Sequence, residues 1–257
     1  MNSKSEFLTL RLSAIAAALT VLANISWALV SGSTRDALTI LGVLAFATAS
    51  ALHAKARYGL QFLTRFITIA VVVTFLIEVI GVSTGFPFGS YEYDQVRLGP
   101  TLLQVPLLIP LAWFMMLYPV WLVTKDLTKS RFKAVLISAL LMATWDLYLD
   151  PQMVNEGYCT WFSNGIATTE IPISNFFGWF ASAALLFALV GSSRQPTARE
   201  VSNLVPYASL MWVWLGNFLV NVVPVSPFFN QPAVAWSGLI GMGIVLFPWV
   251  WVKWQRR

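Results

Sequence analysis

The sequence predicts an all-α, polytopic membrane protein of about eight transmembrane helices, a single integral-membrane domain over residues 1–257 with both termini in the cytoplasm. Three observations predict it. The chain is 58% hydrophobic and 11% charged, against roughly 25% charged in a soluble domain. It cannot cover its surface with polar groups, and a mean hydropathy of +0.71 makes lipid its solvent. Eight apolar segments approach the ~20 residues that cross a bilayer. The basic residues sort cleanly between the two sides that eight spans create.

The segments are roughly 12–31, 37–52, 60–83, 101–123, 132–149, 171–193, 204–222 and 233–252. The first follows Lys4 and Arg11, as a cleaved leader would. Its apolar run exceeds the ~7–15 residues of such leaders, so it reads as a retained span. The second ends at His53. The third carries Glu78 near its far end, and the fourth opens near Gln104. The fifth ends in "TWDLYLDPQM" (144–153), where Pro151 should stop the helix. The sixth has Pro172 in its first turn and Asn175 just behind it. The seventh carries Asn217 and Asn221, and the eighth closes at Lys253. Connections are short, and no internal repeat or linker is evident.

With eight spans, 14 of the 16 Lys and Arg residues fall on one side; only Arg35 and Arg97 fall on the other. The positive-inside rule makes the rich side cytoplasmic. Seven or nine spans would scramble this sorting. The cell membrane, a bacterial inner membrane, is the expected location, and the net charge of +5 needs no nucleic acid to explain it.

One histidine and one cysteine, His53 and Cys159, exclude zinc, di-iron and haem sites, which need several converging ligands. No phosphate-binding glycine loop is present. The expected metal and cofactor complement is none. Chemistry here must use carboxyls, amides, aromatics and water.

The strongly polar intramembrane residues all fall in the outer half. Asp146/Asp150 and Asn217/Asn221 are i,i+4 pairs, so each pair shares a helix face. Ionisable residues within spans usually face a bundle interior or cavity. Plainer readings stand beside these. Asp150 before Pro151 reads also as a wet helix end, Asn175 as a helix cap, and Asn217 and Asn221 as interhelical glue. The inner half reads as apolar. The outer segments "STGFPFGSYEYDQVRLGP" (83–100) and "VVPVSPFFNQP" (222–232) combine turn residues with aromatics and suit an apolar lid. Trp27, Trp121, Trp236, Trp249, Trp251 and Trp254 read as an interfacial belt. Trp113, Trp179, Trp212 and Trp214 lie deeper.

Clustered carboxyls in an apolar site share a proton and titrate as a unit. A neutral acid there suits protonation of a carbon–carbon double bond. Aromatic faces stabilise the resulting cation by about 2 kcal/mol or more when desolvated, and water captures it. The sum is cofactor-free hydration of an isoprenoid alkene.

"STGFPFGSYEYD", "AWFMM", "WDLYLDPQM" and "IPISNFFGWF", preceded by Glu78, resemble the integral-membrane carotenoid biosynthesis family of the CruF type from about the third helix to the seventh. The resemblance implies addition of water to the terminal double bond of an acyclic carotenoid end, giving a tertiary alcohol. It implies the bilayer, a lipophilic carotenoid and other carotenoid enzymes as partners. The chain departs from the family in "CTWFSNGIATTE" (159–170). Its pI of about 9.5 is unlike a halophile's acidic proteome and favours a bacterial monocyclic or acyclic substrate. The expected catalytic set is Asp146 as proton donor, Asp150 acting on the nucleophile and Glu78 completing the triad. Expected substrate contacts are Asn175, Trp113, Trp145, Trp179, Phe86, Phe88, Tyr91, Asn217 and Asn221. The rival readings are a proton-coupled transporter, which needs polar gates in both halves, and a polyprenyl transferase, which needs a second acidic motif. Glu92-x-Asp94 is the candidate for that motif.

Overall fold

The computed structural model describes residues 3–162, 171–191, 200–223 and 230–255. Arg194, Arg199, Arg256, Arg257, the whole of 163–170 with Glu170, and most of 222–232 lie outside the described residues.

Among the described residues, eight helices are long and apolar enough to cross a membrane: α1 (Ser3–Trp27), α2 (Gly32–Tyr58), α3 (Leu60–Thr84), α4 (Leu108–Leu127), α5 (Arg131–Asn155), α6 (Ile173–Gly191), α7 (Leu204–Val222) and α8 (Pro232–Gln255). The chain is a multi-pass integral membrane protein. Two spans are irregular. α3 widens to a π segment at Ile69–Val73, and α7 does so at Trp212–Gly216.

Several boundaries differ from expectation, those of α1 (Ser3–Trp27) and α2 (Gly32–Tyr58) among them, and two bear on the site. α4 starts at Leu108, because Thr101–Leu102 (β2) pairs with Val105–Pro106 (β3) across a two-residue turn. Leu103 and Gln104 both have positive φ, 48° and 67°, the conformation such hairpin turns require. Gln104 is therefore an exposed turn residue outside the span. The α5 helix also runs through Pro151 to Asn155. A proline removes one intrahelical bond, but the last turn is closed by Glu156 N–H to Gln152 O and Gly157 N–H to Val154 O. Asp150 thus sits more than a turn inside the helix, not at a wet end. At its start, α5 is capped by Ser130, whose hydroxyl accepts from Lys133 N–H.

Within the bundle α5 packs on α4, α6 and α8, and α1 lies along α2. The outer end carries a small β layer. Tyr91–Tyr93 (β1) pairs antiparallel with Cys159–Trp161 (β4), which joins the α3–α4 and α5–α6 connections. At the other end His53 Nε2 meets Ser202 O at 2.9 Å, and Lys253 pairs with Asp126 at 2.8 Å. Connections therefore alternate ends as eight spans require.

The two cations on the sparse side meet in one network. Arg35 pairs with Glu156 at 2.5 Å, and Arg97 reaches Glu156 at 2.9 Å and Asp36 at 2.6 Å. Tyr158 Oη donates to Asp36 at 2.9 Å. This clamp ties the 85–107 connection to α2 and to the end of α5.

The inner half is less apolar than expected. His53, fully buried, shares a 2.7 Å hydrogen bond with Tyr118, and Ser138 donates to Thr124 at 2.8 Å. Tyr207 and Trp249 both donate to Asp126. Trp249 and Trp121 are consequently buried rather than interfacial, Trp121 inside a cluster with Tyr58, Phe62 and Phe66. Trp236, Trp251 and Trp254 are exposed, as a belt requires.

Candidate active site

The site lies at the outer end of α3, α5 and α6, beneath the β layer. Asp146 and Asp150 are one helical turn apart on the α5 face that packs on α6. Asn175, in the first turn of α6, spans them. Its Nδ2 donates to Asp146 Oδ2 at 2.7 Å and to Asp150 Oδ2 at 2.6 Å. One NH2 group carries two protons, so these two carboxyls take both of them. The carboxyls also contact each other. Asp146, Asp150 and Asn175 are all buried, Asp146 the more deeply of the acids at 4% exposed against 9%. Asp146 Oδ1 is buried without a hydrogen-bond partner.

Glu78 enters from α3, 3% exposed. Its Oε2 accepts from Tyr91 Oη at 2.7 Å and Tyr93 Oη at 2.9 Å. Residues i and i+2 of a strand share a face, so β1 delivers both phenols together. Burial first, and Glu78 second, hold both phenols well above their ordinary pKa, so they remain donors. Trp113 Nε1 also approaches the Glu78 carboxyl, without completing a hydrogen bond of normal geometry.

These groups surround a chamber of about 90 Å³. Glu78, Asp150 and Asn175 line it; Asp146 stands behind, outside the lining. Much of the remaining wall is aromatic, with Trp113, Trp145, Trp179, Phe88, Tyr91, Tyr93 and Trp161, and most of the rest is aliphatic or thioether side chain. Trp113 and Trp179 stack at 4.2 Å and 11°, with Trp145 edge-on to Trp179 at 5.7 Å. Phe88 is wedged between α3 and α6, where a Cβ on Gly81 or Gly178 would lie 3.0 Å and 2.6 Å from its ring. Glycine at both positions is what lets the lid seat so closely.

The structure brings together Glu78, Asp150, Asn175, Trp113, Trp145, Trp179, Phe88 and Tyr91, with Asp146 one layer back. It does not bring Phe86, which is 73% exposed, or Asn221, which is buried but lines neither this chamber nor its neighbour. Asn221 instead bonds back to Asn217 O in its own helix. Asn217 lines the neighbouring cavity and accepts from Gln152 Nε2 at 2.7 Å. Tyr93 was missed, although its Tyr-x-Tyr spacing with Tyr91 carried the signal. The second acidic motif fails to appear, since Glu92 is exposed and Asp94 accepts from Val96 and Arg97 N–H. Among the described residues no group of three or more His, Cys, Asp or Glu side chains is arranged to hold a metal.

Fold and site together define a multi-pass membrane protein with a buried carboxyl pair, one member of which borders a chamber rich in aromatic side chains. The chain belongs to the carotenoid biosynthesis protein family, whose model matches residues 36–247. It is similar to the bisanhydrobacterioruberin hydratase of Haloarcula japonica, 32% identical over 179 residues. That match covers 64% of this chain and 58% of the relative, so the chain spans less than two thirds of that protein's length. No solved structure matches.

Proposed function

We propose that the protein is a carotenoid end-group hydratase of the CruF type, adding water to the terminal double bond of an acyclic end. The observation that carries this reading is the Asn175 bridge across Asp146 and Asp150 at an aromatic-walled chamber. The similarity to a hydratase supports it.

The pair holds one proton between two carboxyls, as adjacent carboxyls do. Asp150, which faces the chamber, passes it to the less substituted alkene carbon. The π electrons form the new C–H bond and leave a tertiary cation at the dimethyl carbon. Trp113, Trp145 and Trp179 present π density to that cation. Water held by Glu78 and its phenols adds to the cation, and the excess proton returns to the carboxyl pair. One water is consumed, with no redox change. Asp146, expected from sequence as the donor itself, acts in this scheme through Asp150.

The test is expression in a host that accumulates a carotenoid with an acyclic end, grown in 18O-labelled water. The expected product is a tertiary alcohol carrying solvent oxygen. Unchanged hydrocarbon, or label arriving from molecular oxygen, overturns the reading.

A further inference from the structure

A chamber of about 90 Å³ takes the branched tip of a long hydrocarbon and little more; an apolar cavity of about 150 Å³ is filled by benzene. A second cavity, of about 490 Å³, adjoins it. Thr39, Val43, Met115, Trp145, Leu149 and Met153 line both, so the two spaces share one wall. Two of those six are methionines, the most deformable of apolar side chains.

The second cavity is bounded by α1, α2, α4, α5 and α7. No charged residue lines it among the described residues. Its side-chain amides are engaged: Gln152 donates to Asn217 at 2.7 Å, Asn217 donates to Val213 O, and Asn24 accepts from Trp212 Nε1 at 3.0 Å. Such a lining suits an uncharged, apolar ligand and offers nothing to an ion. Along its outer edge Ile25, Leu29, Leu219 and Val223 are 47%, 68%, 56% and 50% exposed, so it opens between α1 and α7 on a face that lipid covers. There the Asn24–Trp212 hydrogen bond joins the two helices. The α7 backbone is π-helical at Trp212–Gly216, and such bulges concentrate at functional sites. Trp212, Val213 and Gly216 of that segment all line the cavity.

We propose that the second cavity is the channel for the polyene stem of the substrate, entered from the bilayer between α1 and α7, with the terminal end inserted into the carboxyl chamber. This rests on the reading of the chain as acting on a carotenoid end group. Residues well outside the carboxyl site then decide how long a substrate is accepted.

The experiment measures binding, not turnover. Tritiated acyclic, branched hydrocarbons of forty and of five carbons are titrated against wild type, Gly216→Phe and Val220→Trp. A Cβ at Gly216 would meet Trp212 at 3.4 Å, an ordinary contact, so the first variant starts without a backbone clash. Both variants are expected to weaken the forty-carbon ligand about tenfold or more, roughly 1.4 kcal/mol, and to hold the five-carbon ligand, a single branched tip, within about twofold. Unchanged affinity for the long ligand, or equal loss of both ligands in both variants, overturns the channel. A protein that binds the polyene through this cavity yet adds no water sinks the hydratase reading and keeps the channel. One that adds water with long-ligand affinity indifferent to both substitutions does the reverse.

Discussion

The Asn175 amide nitrogen lies 2.6 Å from Asp150 Oδ2, and it is the same nitrogen that reaches Asp146. A single NH2 donating to two carboxyls leaves each with one oxygen for a proton or a reactant. The consequence is an order among variants. Asp150→Asn removes the group facing the chamber and should lower hydration by about 10²–10⁴-fold, the usual share of general acid catalysis. Asp146→Asn should lower it too, but less, because the chamber-facing carboxyl survives. Glu78→Gln should fall between. The measurement is hydroxylated carotenoid per unit of inserted protein. Near wild-type turnover in Asp150→Asn would remove it from the mechanism and return Asp146 or Glu78 to the role.

Asn175→Leu tests the bridge itself. It strips both carboxyls of a donor at a buried site, where an unsatisfied group costs about 1–3 kcal/mol. Turnover should fall, and the pH–rate profile should move because the pair titrates as a unit. Asn175→Gln should restore part of the activity. A structural helix cap would lose stability in Asn175→Leu and leave the pH profile where it was.

In the proposed hydration, the stacked indoles of Trp113 and Trp179, 4.2 Å apart, would give the cation its wall. Trp179→Leu keeps the site apolar but removes a π face. A desolvated cation–π contact contributes about 2 kcal/mol, so kcat should drop roughly 30-fold with a much smaller change in KM. Equal changes in both would assign Trp179 to packing against substrate instead.

Spans were legible because length and apolar content report them directly, and the cross-membrane charge sorting fixed their number. Asp146, Asp150, Glu78 and Asn175 were legible because each is expensive in lipid. What the sequence could not convey was depth around a turn. Pro151 reads as a stop, yet the next four residues remain helical because backbone bonds close the end around it. Phe86 and Phe88 look alike in sequence, yet Phe88 finds the gap left by Gly81 and Gly178 while Phe86 points outward. Which of two aspartates on one helix face borders the cavity depends on where α6 and the lid pack, and no periodicity encodes that. The inner polar groups escaped notice because Ser, Thr and Tyr carry no charge to flag them.

Orientation across the membrane makes an independent prediction. Arg35 and Arg97, the two cations of the sparse side, share one clamp with Glu156. A reporter fused after Arg257 should read cytoplasmic, and one inserted within 155–168 should read external. A cytoplasmic signal from the 155–168 insertion would invert the protein and place the carboxyl chamber at the inner face.

The same clamp makes a pH prediction. Burial first pushes the Tyr158 phenol up to about 12, and its hydroxyl donates to Asp36. The folded pKa exceeds the unfolded value near 10. The neutral phenol's contribution is thus complete below about pH 10 and is lost as pH rises toward 12, where the unfolded chain releases its proton first. Wild-type thermal stability in detergent should decline across that window. Tyr158→Phe should begin lower at neutral pH, having lost the bond to Asp36, and should decline less steeply above pH 10. Phe has no proton to release, so the unfolded variant gains nothing there. Other buried tyrosines leave a residual slope, which the variant shares. Equal slopes in the two proteins would show that Tyr158 ionises alike in both states and that the clamp does not hold its proton.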